Sequence, residues 1–109
     1  MAVPISALCI SAITEGEIAY GLAKRPDAKR LHRITAEILK RVDVLPWGRE
    51  AAAEYGRLRA MMQRGGLVLG ALDLLIAAHA VSEGAVLVSN NRAVGMVAGL
   101  VVEDWTAAP

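Results

Sequence analysis

One stretch, residues 69–91, constrains the fold of this chain more than any other part of the sequence. It reads LGALDLLIAAHAVSEGAVLVSNN and indicates an apolar helix with one acidic residue, Asp73, in its first turn and an end at Gly84. A short apolar strand follows and ends on Ser89, Asn90 and Asn91. Ligands of open α/β sheets bind at the carboxyl ends of strands, so this arrangement of acidic and polar residues is typical of a metal site.

Strand-like and helix-like segments alternate along the rest of the chain. The apolar runs that indicate strands are residues 5–10, 42–45, 85–89 and 100–103. The helical patterns, besides the Asp73 helix, cover residues 15–23 with Thr14 as N-cap, 28–41 and 49–64. Strands that alternate with helices imply crossover connections, and the predicted class is therefore α/β with a mostly parallel sheet.

Length and composition narrow the class further. A chain of 109 residues forms one domain, residues 1–109, and an apolar content of 55% excludes a disordered protein. No apolar run is long enough to cross a bilayer, since Asp73 and His79 interrupt the best candidate. Cys9 is the only cysteine, which excludes an internal disulfide and a cysteine metal cluster and makes a reducing cytoplasm the expected location.

Glu17 and Asp73 are the acidic candidates for a site, and each has a structural alternative. Thr14 and Glu17 have the spacing of a capping box, in which the glutamate bonds back to the N-cap amide. The functional alternative is that Glu17 faces the sheet edge and binds a divalent cation. Asp73 suits the positive end of a helix dipole. Its apolar neighbours, however, make an ionised carboxylate costly unless a cation or hydrogen bonds compensate it.

For most of the other residues that could bind a metal or act in catalysis, the sequence favours a structural role. His79 has no second histidine at metal-ligand spacing, so we expect a core or interface histidine. Cys9 lies in the first apolar run, where a buried inert thiol is expected. A basic group either forms a solvated helix face or contacts phosphates, although the formal charge of +1 gives no global nucleic-acid signature. The members of this basic group are Lys24, Arg25, Lys29, Arg30 and Arg33.

Several segments together resemble PIN-domain ribonucleases of the VapC toxin type. ISAITEGEIAYGLAK is similar to the second strand and following helix of that family, and RVDVLPWGREAAAEYGRLRAMMQRGG to the next strand and long helix. LGALDLLIAAHAVSEGAVLVSNN resembles the most diagnostic family segment, and GLVVEDW the closing strand. The resemblance covers nearly the whole chain. It implies a three-layer α/β/α fold with a mostly parallel sheet.

The resemblance also implies a function and a set of site residues. The expected activity is that of a Mg²⁺- or Mn²⁺-dependent endoribonuclease that cleaves RNA, often tRNA. Such toxins are usually homodimers, and a small antitoxin protein silences them. By position, Glu17 and Asp73 match the family's acidic residues and Asn91 matches a further metal position. The positions expected to bind substrate are Ser89, Asn90 and Arg92.

Two departures from the family pattern open an alternative. Family members begin with a strand carrying D-T-N, whose aspartate is a metal ligand, whereas this sequence starts where the second strand is expected. The family's R-E-F motif is replaced by Arg92, Ala93 and Val94. We therefore expect a chain that lacks the first strand, either through a start recorded too far downstream or through a real truncation. The alternative function is a catalytically inactive module that keeps the surface for the antitoxin or for dimerisation.

Overall fold

Helices and short parallel strands alternate in the computed structural model, which describes residues 8–89, 93–97 and 99–103. The elements are β1 (Cys9–Ser11), α1 (Ala12–Ala23), α2 (Lys29–Leu39), β2 (Asp43–Leu45), α3 (Arg49–Arg64), α4 (Ala71–Glu83), β3 (Leu87–Val88), a single 3₁₀ turn (Val94–Met96) and β4 (Val102–Glu103). They fall into two compact units, one that ends at Pro46 and one that begins at Trp47. The single domain expected over residues 1–109 stays a prediction.

The first unit is a strand–helix–helix–strand unit. β1 and β2 are parallel, with Cys9 opposite Asp43 and Ser11 opposite Leu45. Parallel neighbours need a long crossover connection, and α1 and α2 supply it. The turn between the two helices is held by a hydrogen bond of 2.9 Å between His32 Nε2 and the carbonyl oxygen of Arg25.

The start of α1 corrects one prediction. Ser11, and not Thr14, is the N-cap: its backbone is extended, and its Oγ accepts a hydrogen bond of 3.1 Å from the amide of Ile13. Thr14 therefore lies inside the first turn, and the capping box that it was expected to form with Glu17 is wrong. The reason is that α1 begins directly after β1, so the first unpaired helix amides occur beside Ser11.

Cys9 corrects a second prediction, because its side chain is exposed rather than buried. An apolar run shows that a strand is present but does not specify which of its two faces is covered. Strand bounds also differ: β2, β3 and β4 are each shorter than the apolar runs that predicted them. Residues 5–7 of the first run lie outside the described residues.

The second unit is built on the packing of α3 against α4. Leu58 on α3 is completely buried, and it shares a core with Leu74 and Ala78 of α4. Met62 and Val97 complete this buried cluster. The predicted helix over residues 49–64 is confirmed, because its apolar residues recur at the helical period and Gly65 caps its end.

The helix α4 ends as predicted at Gly84. This glycine adopts the left-handed conformation (φ 63°), which closes the helix without a side-chain penalty. β3 and β4 follow as a parallel pair, with Leu87 opposite Val102. Both described strand pairs are thus parallel, as predicted. In the described part of the chain, no helix is long and apolar enough to cross a membrane.

Candidate metal site

Asp73 occupies the third position of α4, behind the N-cap Gly70. A Cβ placed on Gly70 would lie 3.6 Å from Asp73 Oδ2, so the carboxylate folds back over the start of the helix. Gly70 has no side chain to cap the unpaired backbone amides in the first turn of α4. A negative charge at the N-terminal end of a helix also interacts favourably with the helix dipole. The structural interpretation of Asp73 is therefore supported.

The surroundings of Asp73 are less apolar than the sequence suggested. Asp73 is half-buried, its neighbour Leu74 is buried in the core, and Leu72 on its other side is 44% exposed. In the first turn of α4, Asp73 is thus intermediate in exposure between Leu72 and Leu74, whereas residues 77–80 are all buried further along the helix. Asp73 is therefore not enclosed by the core.

Glu17 lies in the second turn of α1, and its side chain is exposed. Because Ser11 is the N-cap of α1, Glu17 lies too far along the helix to cap its first turn. None of the ion pairs found within the described residues involves it. A carboxylate that is solvated and has no structural role is suited to binding a cation, since no existing bond has to be broken.

Ser89 directly follows β3, where its amide donates a hydrogen bond of 3.0 Å to the carbonyl oxygen of Glu103 at the end of β4. Because the two strands are parallel, their carboxyl ends lie at the same edge. Glu103 is thus an acidic residue next to Ser89, one of the predicted site residues. Sequence reasoning did not select Glu103, although an acidic residue at the end of a predicted strand could have indicated it. The predicted residues Asn90, Asn91 and Arg92 lie outside the described residues.

The predicted ligands are distributed over both units: Glu17 belongs to the first unit, and Asp73 and Ser89 belong to the second. Within residues 8–89, 93–97 and 99–103, no group of three or more histidine, cysteine or acidic side chains is arranged to hold a metal ion. The predicted set contains two carboxylates and the amide of Asn91. These are hard oxygen ligands, which suit Mg²⁺ or Mn²⁺. Their assembly into one site stays a prediction.

A buried histidine lies on α4, and a half-buried tryptophan is hydrogen-bonded to this helix. His79 is almost fully buried, and its Nε2 lies 3.8 Å from Glu83 Oε1 one turn later, which confirms a core histidine. Trp47 donates a hydrogen bond of 2.9 Å from Nε1 to the carbonyl oxygen of Leu75. This bond fixes the helix two residues after Asp73. Sequence reasoning did not single out Trp47, because a lone tryptophan gives no spacing pattern.

Comparison with known proteins defines the class to which this fold and these acidic residues belong. Residues 2–100 match the PIN domain, and the chain belongs to the PIN-domain family. Within it, the similar proteins include VapC ribonucleases. The tRNA(fMet)-specific endonuclease VapC of Shigella flexneri is 38% identical over 100 residues, which cover 91% of this chain and 76% of the relative. Ribonuclease VapC2 of Haemophilus influenzae is 37% identical over 90% of this chain and 75% of its own length.

Solved structures agree with this assignment. DNA-bound VapBC of Salmonella typhimurium matches with a TM-score of 0.87 and 37% identity, over 93% of this chain and 77% of that chain. VapBC2 of Rickettsia felis, bound to a DNA fragment from its promoter, matches with a TM-score of 0.84 and 33% identity, over 89% of this chain and 74% of that chain. The predicted α/β class and PIN-like three-layer α/β/α fold are confirmed, as is the resemblance to VapC-type toxins.

Proposed function

We propose that this protein is the toxin of a type II toxin–antitoxin system and acts as a metal-dependent endoribonuclease on RNA, with tRNA as the substrate class. The observation that carries the proposal is the similarity to VapC ribonucleases over nine-tenths of the chain. The exposed carboxylate of Glu17 and the helix-borne carboxylate of Asp73 support it, since neither is enclosed by the core. The tRNA substrate is suggested by the relative that is named for cleavage of tRNA(fMet).

Glu17, Asp73 and Asn91 are the residues that we propose to hold Mg²⁺, with Mn²⁺ as a substitute. A bound divalent cation would polarise the phosphodiester and lower the pKa of a metal-bound water. Mg²⁺ retains several waters, so two carboxylates and one amide suffice for an open site. Ser89, Asn90 and Arg92 follow the β3 strand, and we propose that they contact the RNA backbone.

Cleavage of RNA by matched variants tests this assignment. Labelled tRNA is incubated with the protein and MgCl₂, with EDTA as the metal-free reaction, and the fragments are resolved on a denaturing gel. Glu17→Gln and Asp73→Asn remove one negative charge each and should abolish cleavage. Glu15→Gln, two residues from Glu17 on the same helix, removes the same charge and should cleave like the wild type. Equal cleavage by Glu17→Gln, Asp73→Asn and wild type would refute these ligands.

The α2 helix favours a second function, the binding of an antitoxin. Leu31, Ile34 and Ile38 are 42%, 46% and 48% exposed, and their spacing places them on one face of α2. Arg30, Arg33 and Arg41 lie close to this apolar stripe and are exposed. An acidic amphipathic segment of a small antitoxin would cover the stripe and pair with the arginines. The structures similar to this chain include VapBC complexes.

Binding and cleavage together separate an active toxin from an inactive binding module. Ile34→Asp places a charge in the apolar stripe and should prevent co-purification with the antitoxin, while RNA cleavage continues. Ala36→Asp is the control: it adds the same charge to α2 at an exposed position on the side of the helix opposite Ile34, and should not affect the complex. Antitoxin binding by a wild type that never cleaves RNA would favour the inactive module. Light scattering of the free protein tests the homodimer that we also propose.

A further inference from the structure

An exposed tyrosine lies on the same face of α1 as Glu17. Tyr20 is 59% exposed, although its ring offers a large apolar surface. Three residues separate Tyr20 from Glu17, which places them about 60° apart around the helix and roughly 4.5 Å apart along its axis. A molecule held at the Glu17 carboxylate would therefore be within reach of the tyrosine ring.

A lysine extends this face beyond the ring. The Nζ of Lys24 lies 4.7 Å from the centroid of the Tyr20 ring. Lys24 follows Glu17 by two helical turns, so it lies on the same face at a distance of roughly 10 Å along the axis. The exposed side chains of Arg25, in the turn that follows, and of Lys29, at the start of α2, add positive charge at this end. The face thus presents a carboxylate, an aromatic ring and a cation in sequence.

We propose that Tyr20 and Lys24 bind the single-stranded part of the RNA substrate next to the cleavage position, an inference that rests on the nuclease function proposed above. Tyr20 stacks on a nucleobase, and Lys24 contacts a neighbouring phosphate. An aromatic ring accepts the face of any base, and a cation beside it tracks the backbone. Since Lys24 covers one face of the ring, the base stacks on the other.

Base stacking on a tyrosine is possible only for unpaired bases, so it would give the proposed ribonuclease a preference for single-stranded RNA. RNA loops splay their bases outwards, where aromatic side chains can reach them, whereas an A-form duplex hides the faces of its bases. An aromatic ring one helical turn from a metal ligand would select unpaired nucleotides at the scissile position. A tyrosine–lysine pair that only stabilised α1 would instead change thermal unfolding and leave RNA affinity unaltered.

RNA binding without catalysis tests the proposal. We would measure fluorescence anisotropy of a short labelled single-stranded RNA with the full chain in EDTA, so that no cleavage occurs. Tyr20→Ala should weaken binding roughly 5- to 150-fold, the loss expected for one stacked base. Tyr20→Phe keeps the ring and should bind within about two-fold of the wild type. Tyr20→Leu, which keeps apolar bulk without a π-face, should resemble alanine.

The salt dependence isolates the lysine. Removing one phosphate contact lowers the slope of log affinity against log salt by about 0.7 for a single strand, and Lys24→Ala should show this change. Lys40→Ala removes an equal charge from the far end of α2 and should leave the slope unaltered. Unchanged affinity and slope in Tyr20→Ala and Lys24→Ala, with wild type that still cleaves RNA, would overturn this inference alone. A wild type that neither binds nor cleaves RNA would overturn the nuclease function as well.

Discussion

Replacing Asp73 with asparagine tests whether its carboxylate binds a metal or only stabilises the start of α4. The carboxylate lies over the first turn, with Oδ2 3.6 Å from the place of a Cβ on Gly70. A negative charge there interacts with the helix dipole by roughly 0.3–1 kcal/mol. A change of 1 kcal/mol shifts the midpoint of thermal unfolding by about 4–8 °C in a domain of this size. Asp73→Asn should therefore lower the metal-free midpoint by a few degrees.

The metal-dependent part of the stability is the quantity that distinguishes the two roles. A cation at ten times its dissociation constant stabilises the folded state by about 1.4 kcal/mol, which raises the midpoint by roughly 6–11 °C. We expect this gain in the wild type and its loss in Asp73→Asn. Differential scanning fluorimetry over a series of MgCl₂ and MnCl₂ concentrations, with EDTA as the metal-free sample, measures the metal-free midpoint and its metal-dependent increase for each protein.

A matched glutamate provides the control for the helix dipole. Glu50 lies in the first turn of α3 and is exposed, so Glu50→Gln removes a charge from an equivalent helix position. It should cost a similar small fraction of stability and keep the full metal-dependent gain. If Asp73→Asn also kept the full gain, Asp73 would be only a helix-capping residue, and the argument that its carboxylate is a ligand would fail.

Three further predictions concern the fold and are measured by urea unfolding. Leu58→Ala should lose about 3–5 kcal/mol, because the side chain is completely buried between α3 and α4; Leu72→Ala, at a position 44% exposed, should lose far less. Trp47→Phe removes the 2.9 Å hydrogen bond to the carbonyl oxygen of Leu75 and should cost roughly 0.5–1.5 kcal/mol for that bond. Ser11→Ala removes the cap of α1 and should cost about 0.5–2 kcal/mol, while Ser11→Thr should restore most of it. Unchanged midpoints would contradict the packing, the bond and the cap, respectively.

The helices of the second unit were predictable because their signals are local. Met62 follows Leu58 by one turn, and together they form the repeating apolar face whose burial the structure confirms. Gly84 ended α4 in the sequence and does so in the structure, since only glycine adopts its positive φ without strain. Where a signal depends on the immediate neighbours in the chain, the sequence is sufficient to locate the element.

Predictions failed where the role or burial of a residue depends on the neighbouring helices and strands and not on the local sequence. Thr14 and Glu17 have the spacing of a capping box, but β1 ends at Ser11 and the helix starts there instead. Cys9 lies in an apolar run and is nevertheless exposed, because the run does not reveal which strand face is covered. Glu17 and Asp73 belong to different units, so no spacing in the sequence gives the distance between their carboxylates.

The two proposed acidic ligands differ in a way that matters for any functional test. Asp73 stabilises the start of α4 as well, so loss of activity in an Asp73 variant combines a chemical effect with a structural one. Glu17 is exposed and has no capping duty, and substitutions at such positions change stability by no more than about 0.5 kcal/mol. Loss of cleavage in Glu17→Gln, with an unaltered free energy of unfolding, would therefore report on catalysis alone. Glu17, for which the sequence offered a capping role as the alternative, is therefore the better probe of the proposed metal site.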